Sequence, residues 1–83
     1  MAKNLSNVPV AQRIVIADEP IFSGRTASIL ISRRILSQVL MRLARENLFF
    51  AVTPYQGGIV SVSCSIDKAH TLADAVQQAE QSK

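Results

Sequence analysis

Cysteine and histidine each occur once in this 83-residue chain, tryptophan is missing, and glycine and proline occur three times each. A single cysteine excludes an internal disulfide and a thiolate zinc site. With one histidine besides, a metal centre would rest on Asp18, Glu19, Glu46, Asp67, Asp74 and Glu80 alone, so no metal or cofactor is expected. The lone thiol, Cys64, suits a reducing cytosol. Met1 to Pro9 holds one lysine but no apolar segment ending in a small-residue cleavage site, and the expected location is cytoplasmic. Long apolar runs are also missing. The densest, Ile29 to Ala44, is broken by Ser32, Arg33, Arg34, Ser37, Gln38 and Arg42. A membrane-spanning helix needs about 20 mostly apolar residues, so no membrane partner is expected.

The hydrophobic fraction of 48% against 18% charged residues is too apolar for a disordered chain. The length allows one domain, and a chain this short buries roughly 60–65% of its unfolded surface. The reading is a loose arm over residues 1–9, one domain over 10–81, and a frayed end at 82–83. The net charge is +3, unevenly spread. Residues 1–47 hold seven basic and three acidic side chains, or +4; residues 48–83 hold two and three, or −1. Six of the nine basic residues are arginine, the better bidentate ligand for carboxylate or phosphate.

Residues 10–17 are β-branched and read as a strand ended by Asp18-Glu19-Pro20, with Ile21 and Phe22 tucked under the loop to Gly24. Thr26 to Ile31 fits either a strand or the first turns of the next helix; the branched Cβ atoms favour a strand. Ser32 then caps a helix over Arg33–Asn47. Ile35, Leu36, Val39, Leu40 and Leu43, with Ala44, fall three and four apart on its inner stripe. Asn47 suits the left-handed backbone of a helix stop. Leu48–Thr53 and Ile59–Ile66 form a hairpin around Pro54 to Gly58. Val60, Val62, Cys64 and Ile66 face one way, and Ile59, Ser61, Ser63 and Ser65 the other. Asp67 caps a last helix over 68–81, with Thr71 and Asp74 suggesting a later start. Its stripe is Ala69, Leu72, Ala73, Val76 and Ala79. The fold class is therefore α+β: a two-layer sandwich, order ββαββα, with both helices on one face of an antiparallel-leaning sheet. The alternative, βαββα, keeps 26–47 wholly helical. In the first order one strand-strand-helix unit recurs, a geometric echo with negligible sequence identity.

Catalytic chemistry finds little to stand on. Asp67 and His70 share a helix turn, with Ser63 and Ser65 near in sequence, but a nucleophile needs a base within reach and an oxyanion site, which spacing does not provide. Cys64 points inward and reads as a small hydrophobe. Asp18-Glu19 reads as a solvated turn, and Gly57-Gly58 leads into a strand, not into the helix a phosphate loop requires. Arg34, Gln38, Arg42 and Arg45 on the first helix form the one charged constellation. Tyr55 at a hairpin tip and one of the adjacent Phe49 and Phe50 are further contact candidates. The functional expectation is a small protein–protein interaction module, non-enzymatic, binding another protein with an acidic surface and self-associating as a homodimer. The alternative is nucleic-acid binding through the arginine face, although stacking aromatics are scarce. A third is an oligomeric ligand-binding or enzymatic role.

Overall fold

The computed structural model describes residues 9–19 and 24–81. Two hairpins supply its sheet. Strands β1 (Val15–Glu19) and β2 (Gly24–Ser32) form the first, and β3 (Phe50–Pro54) and β4 (Ile59–Ser65) the second. All neighbours are antiparallel and the order is β1-β2-β4-β3, so β2 and β4 are central. Each central strand runs through a three-residue 3-10 turn, Arg33–Ile35 or Ile66–Lys68, into a helix: α2 (Leu36–Arg45) or α3 (Ala69–Gln81). The short helix α1 (Val10–Arg13) precedes β1. The α+β class, the four-stranded ββαββα order and the strand over Thr26–Ile31 are thus found, with the short helix α1 added before β1, and the βαββα alternative falls away.

The core lies between one sheet face and the helices. Ala27, Ile29 and Ile31 of β2 pair with Cys64, Val62 and Val60 of β4, and all six are buried. Ile35, Val39 and Leu43 pack on them from the first helix, and Leu72, Ala75, Val76 and Ala79 from α3, with Leu36 and Leu40 partly buried at the margin. The stripe read from spacing therefore lies where the 3.6-residue period places it, except that Ala44 is exposed and Ala75 is buried. The opposite sheet face carries Ser28, Ser61, Ser63 and Ser65, which are half-buried.

The β2–β4 register is symmetric about the pair Ile29 and Val62: Thr26 faces Ser65 at one end and Ser32 faces Ile59 at the other. Ser32 and Ser65 both precede a 3-10 turn. Val39 and Leu43 correspond to Leu72 and Val76, all fully buried. The echo in the sequence is thus a pseudo-two-fold arrangement of two strand-strand-helix units. The edge strands break it, since β1 pairs with the first half of β2 whereas β3 pairs with β4 from Val60 to Cys64.

Three expectations need correction. Residues 10–13 are one helical turn, not strand. Val10 and Ile14 lie against the core, and Arg13 reaches α3, where its Nη2 meets both Glu80 carboxylate oxygens at 2.8 and 2.7 Å. Tertiary contact overrides β propensity there. Asp67 does not cap α3. It sits exposed inside the 3-10 turn, and Ser65 holds the N-cap place without a side-chain bond. The box expected at Thr71 and Asp74 lies within α3, and Asp74 turns to Arg42 instead. The third strand starts at Phe50, not Leu48. Asn47 adopts φ 60°, and the amides of Asn47 and Leu48 donate to Ala44 and Leu43 carbonyls at 3.0 Å each. This double-bonded helix end uses the Leu48 amide and tucks Leu48 against the core. Ser32 caps as expected, its Oγ accepting from the Arg34 amide at 3.2 Å. The expected loop contacts of Ile21 and Phe22, most of the arm and residues 82–83 lie outside the described residues.

Candidate functional site

The arginine constellation divides. Gln38, Arg42 and Arg45 line a cleft of about 230 Å³ between α2 and α3. Arg34 is exposed on the 3-10 turn at the far end of α2. Arg42 is already engaged. Its Nη2 donates to Asp74 at 2.9 Å, its Nε to Glu46 at 3.1 Å and its Nη1 to Gln78 at 2.7 Å. The hydrogen bond to Asp74, then that to Glu46, raises its pKa above the ordinary arginine value. The guanidinium that looks most central in sequence thus ties α2 to α3. Arg33, Arg34 and Arg45 enter no ion pair among the described residues.

Among the described residues no hydrogen bond or ion pair joins the side chains of Ser63, Cys64, Ser65, Asp67 and His70 to one another. Cys64 is fully buried; its thiol lies 3.5 Å from the Ser65 carbonyl and 3.7 Å from that of Lys68, and burial pushes its pKa up. That is opposite to the activation a nucleophilic thiolate needs. His70 and Asp67 are exposed. Among the described residues no three His, Cys, Asp or Glu side chains gather as metal ligands, and no helix is long and apolar enough to cross a membrane.

The two aromatic candidates flank β3 at its opposite ends. Phe50 turns to the core, and the next ring out, Phe49, is 87% exposed. Tyr55 is 60% exposed beyond Pro54, at the sheet end where the Arg33 amide donates to Gly58. Val52 between them is 38% exposed. The backbone of β3 completes this surface. The Tyr55 amide donates to the Ile59 carbonyl at 2.9 Å. Hydrogen-bonding direction alternates along a strand, so Thr53 and Ala51 also bond to β4, opposite Ser61 and Ser63. The amides and carbonyls of Phe50 and Val52 therefore face away from the sheet. Pro54 presents only a carbonyl there.

Neither β3 nor the segments on either side of it supply a charged side chain to this edge. The sequence contains no Asp, Glu, Lys or Arg between Glu46 and Asp67. The other edge strand, β1, carries Asp18 and Glu19. Folded proteins normally blunt free edges with charge, proline or bulges; β3 has only Pro54, at its last position. The charge-free stretch is the sequence signal for this surface. The chain matches no protein-family model, no curated protein and no solved structure.

Proposed function

We propose that the protein is a binding module that recognises an extended, uncharged protein segment by strand addition along β3. The observation that carries it is the conjunction on one edge of outward-facing Phe50 and Val52 backbone groups, no charge, and exposed Phe49, Val52 and Tyr55. Main-chain bonding supplies affinity in this mode and flanking side chains supply selectivity. Aromatic rings are suited to such contacts because they cover much area with little rotamer freedom to lose. The acidic partner read from the arginine face has weaker support, because Arg42 is already paired with Asp74 and Glu46. Nucleic-acid binding loses the same arginine.

The test is photo-cross-linking in the native cell, with p-benzoylphenylalanine replacing Phe49 and, separately, Met41 or Val15, which are 62% and 60% exposed elsewhere. Covalent protein adducts are expected from position 49 and not from 41 or 15. Absence of an adduct at 49, or equal adducts at all three positions, would overturn the proposal. A gel shift with duplex DNA at low salt that Arg42→Glu abolishes would replace it with the nucleic-acid alternative.

A further inference from the structure

We infer that the segment received by β3 is β3 of a second copy, the two strands pairing antiparallel about a two-fold axis at Ala51. This names the partner of the edge proposed above and rests on that reading. Three observations select a second copy.

The first is hydrogen-bond matching. With the axis at Ala51, Phe50 of one copy faces Val52 of the other, and each outward amide meets an outward carbonyl. Pro54, which lacks an amide, faces Leu48 of the other copy, whose amide already donates to Leu43 within its own chain. Both ends of the new ladder thus stop where no bond is available. Shifting the axis to Val52 would set Pro54 opposite Phe50 and leave the Phe50 carbonyl without a donor.

The second is side-chain placement. Phe50 and Val52 share the helix-facing side of β3, opposite Cys64 and Val62 of β4. The two-fold would therefore set an aromatic ring beside a branched side chain, a favourable cross-strand pair. On the open side Ala51 meets Ala51, and the small side chains let the backbones approach. Continuing the alternation one residue before the strand, Phe49 comes over Thr53 of the other copy, which covers the most exposed aromatic ring among the described residues.

The third is charge. Two copies of a chain with net charge +3 repel. Pairing through β3 joins the part of each chain that has no charged residue, so no like charges face one another across the ladder. Pairing through β1 would join two strands that each carry acidic residues.

The test has two independent arms. Sedimentation equilibrium should give about twice the chain mass at roughly 100 μM, a concentration that reveals even a micromolar dimer, and Val52→Pro should return the monomer mass. The Val52 amide faces away from β4 and meets no acceptor among the described residues, so the substitution removes an intermolecular donor while circular dichroism keeps the wild-type signal. In the second arm, Ala51→Cys should form a disulfide-linked dimer under mild oxidation. Directly opposed residues of a non-hydrogen-bonded pair lie about 4.5 Å apart at Cα, within disulfide reach. Wild type, with Cys64 buried, should not cross-link. This arm decides the matter if Val52→Pro does not fold. A wild-type monomer at 100 μM, or a dimer that survives Val52→Pro with Ala51→Cys uncross-linked, would overturn the inference. If position 49 still captured a different protein, strand addition at β3 would stand with another occupant; no capture and no dimer would remove both.

Discussion

Replacing Glu80 with Gln should destabilise the fold far more than replacing its partner Arg13. The two side chains are only 8% and 16% exposed, and the carboxylate accepts both of its bonds from Nη2. The Arg13 Nε and Nη1 are buried and meet no acceptor among the described residues. Glu80→Gln keeps the shape, removes the countercharge, and leaves a buried guanidinium with most of its donors unmatched. Removing one partner of a buried pair costs about 3–5 kcal/mol. Glu80 lies near the end of α3, where water is closer, so a loss of about 2–3 kcal/mol is expected. In a domain of this size that lowers the melting midpoint by roughly 10–20 °C. Arg13→Met removes the buried cation and its unmatched donors together, and the remaining carboxylate is better placed to reach solvent. Its cost should be about 1 kcal/mol or less. The double variant should resemble Arg13→Met, giving a coupling of about 2 kcal/mol. Urea unfolding followed by circular dichroism measures all four proteins. Glu80→Gln within about 0.5 kcal/mol of wild type, or Arg13→Met the more damaging of the two, would refute this assignment of the pair.

Leu43→Ala, at a fully buried position under the sheet, should cost about 2–5 kcal/mol in the same assay, whereas Met41→Ala should be near neutral. Asn47→Ala should cost about 1 kcal/mol, because the φ of 60° strains a residue with a Cβ that cannot bond locally; Asn47→Gly should be neutral or slightly stabilising, read from the urea midpoint. Cys64 should resist alkylation in the folded protein and react on unfolding. Burial raises its folded pKa, so its contribution to stability is fully present below the unfolded value of about 8.5 and is lost as pH rises through the folded one. Stability measured from neutral to alkaline pH should therefore fall more steeply for wild type than for Cys64→Ala.

The elements legible in the sequence are those whose periodicity is reinforced by burial. Val39 and Leu43 on α2, and Val60, Val62 and Cys64 on β4, lie where their spacing puts them, because one face of each element meets the core. Asn47 and Ser32 were legible through backbone chemistry alone. The segment 10–13 was not, since its helical turn depends on Arg13 reaching Glu80 across the length of the chain. The expected capping role of Asp67 fails for a related reason: the chain enters α3 through a 3-10 turn that begins after Ser65, so Asp67 lies inside the turn. At the surface, spacing gathered Gln38, Arg42 and Arg45 on one side of α2 but not that Arg42 is neutralised by Asp74 of another helix. Phe49 and Phe50 were separable by strand alternation. That β3 is an edge strand, and so why Phe49, Val52 and Tyr55 form one surface, follows only from the strand order β1-β2-β4-β3.

Amide hydrogen exchange at Phe50 and Val52 tests the central claim most directly, because both donors are assigned to a second β3 and meet no acceptor among the described residues. Exchange is followed residue by residue at low and high protein concentration, with Ile16 on the β1 edge as the internal reference. Slowing of Phe50 and Val52 as concentration rises, with Ile16 unchanged, is the result expected of self-pairing along β3. Exchange of Phe50 and Val52 that is equally fast at every concentration, or equal slowing at Ile16, would contradict it.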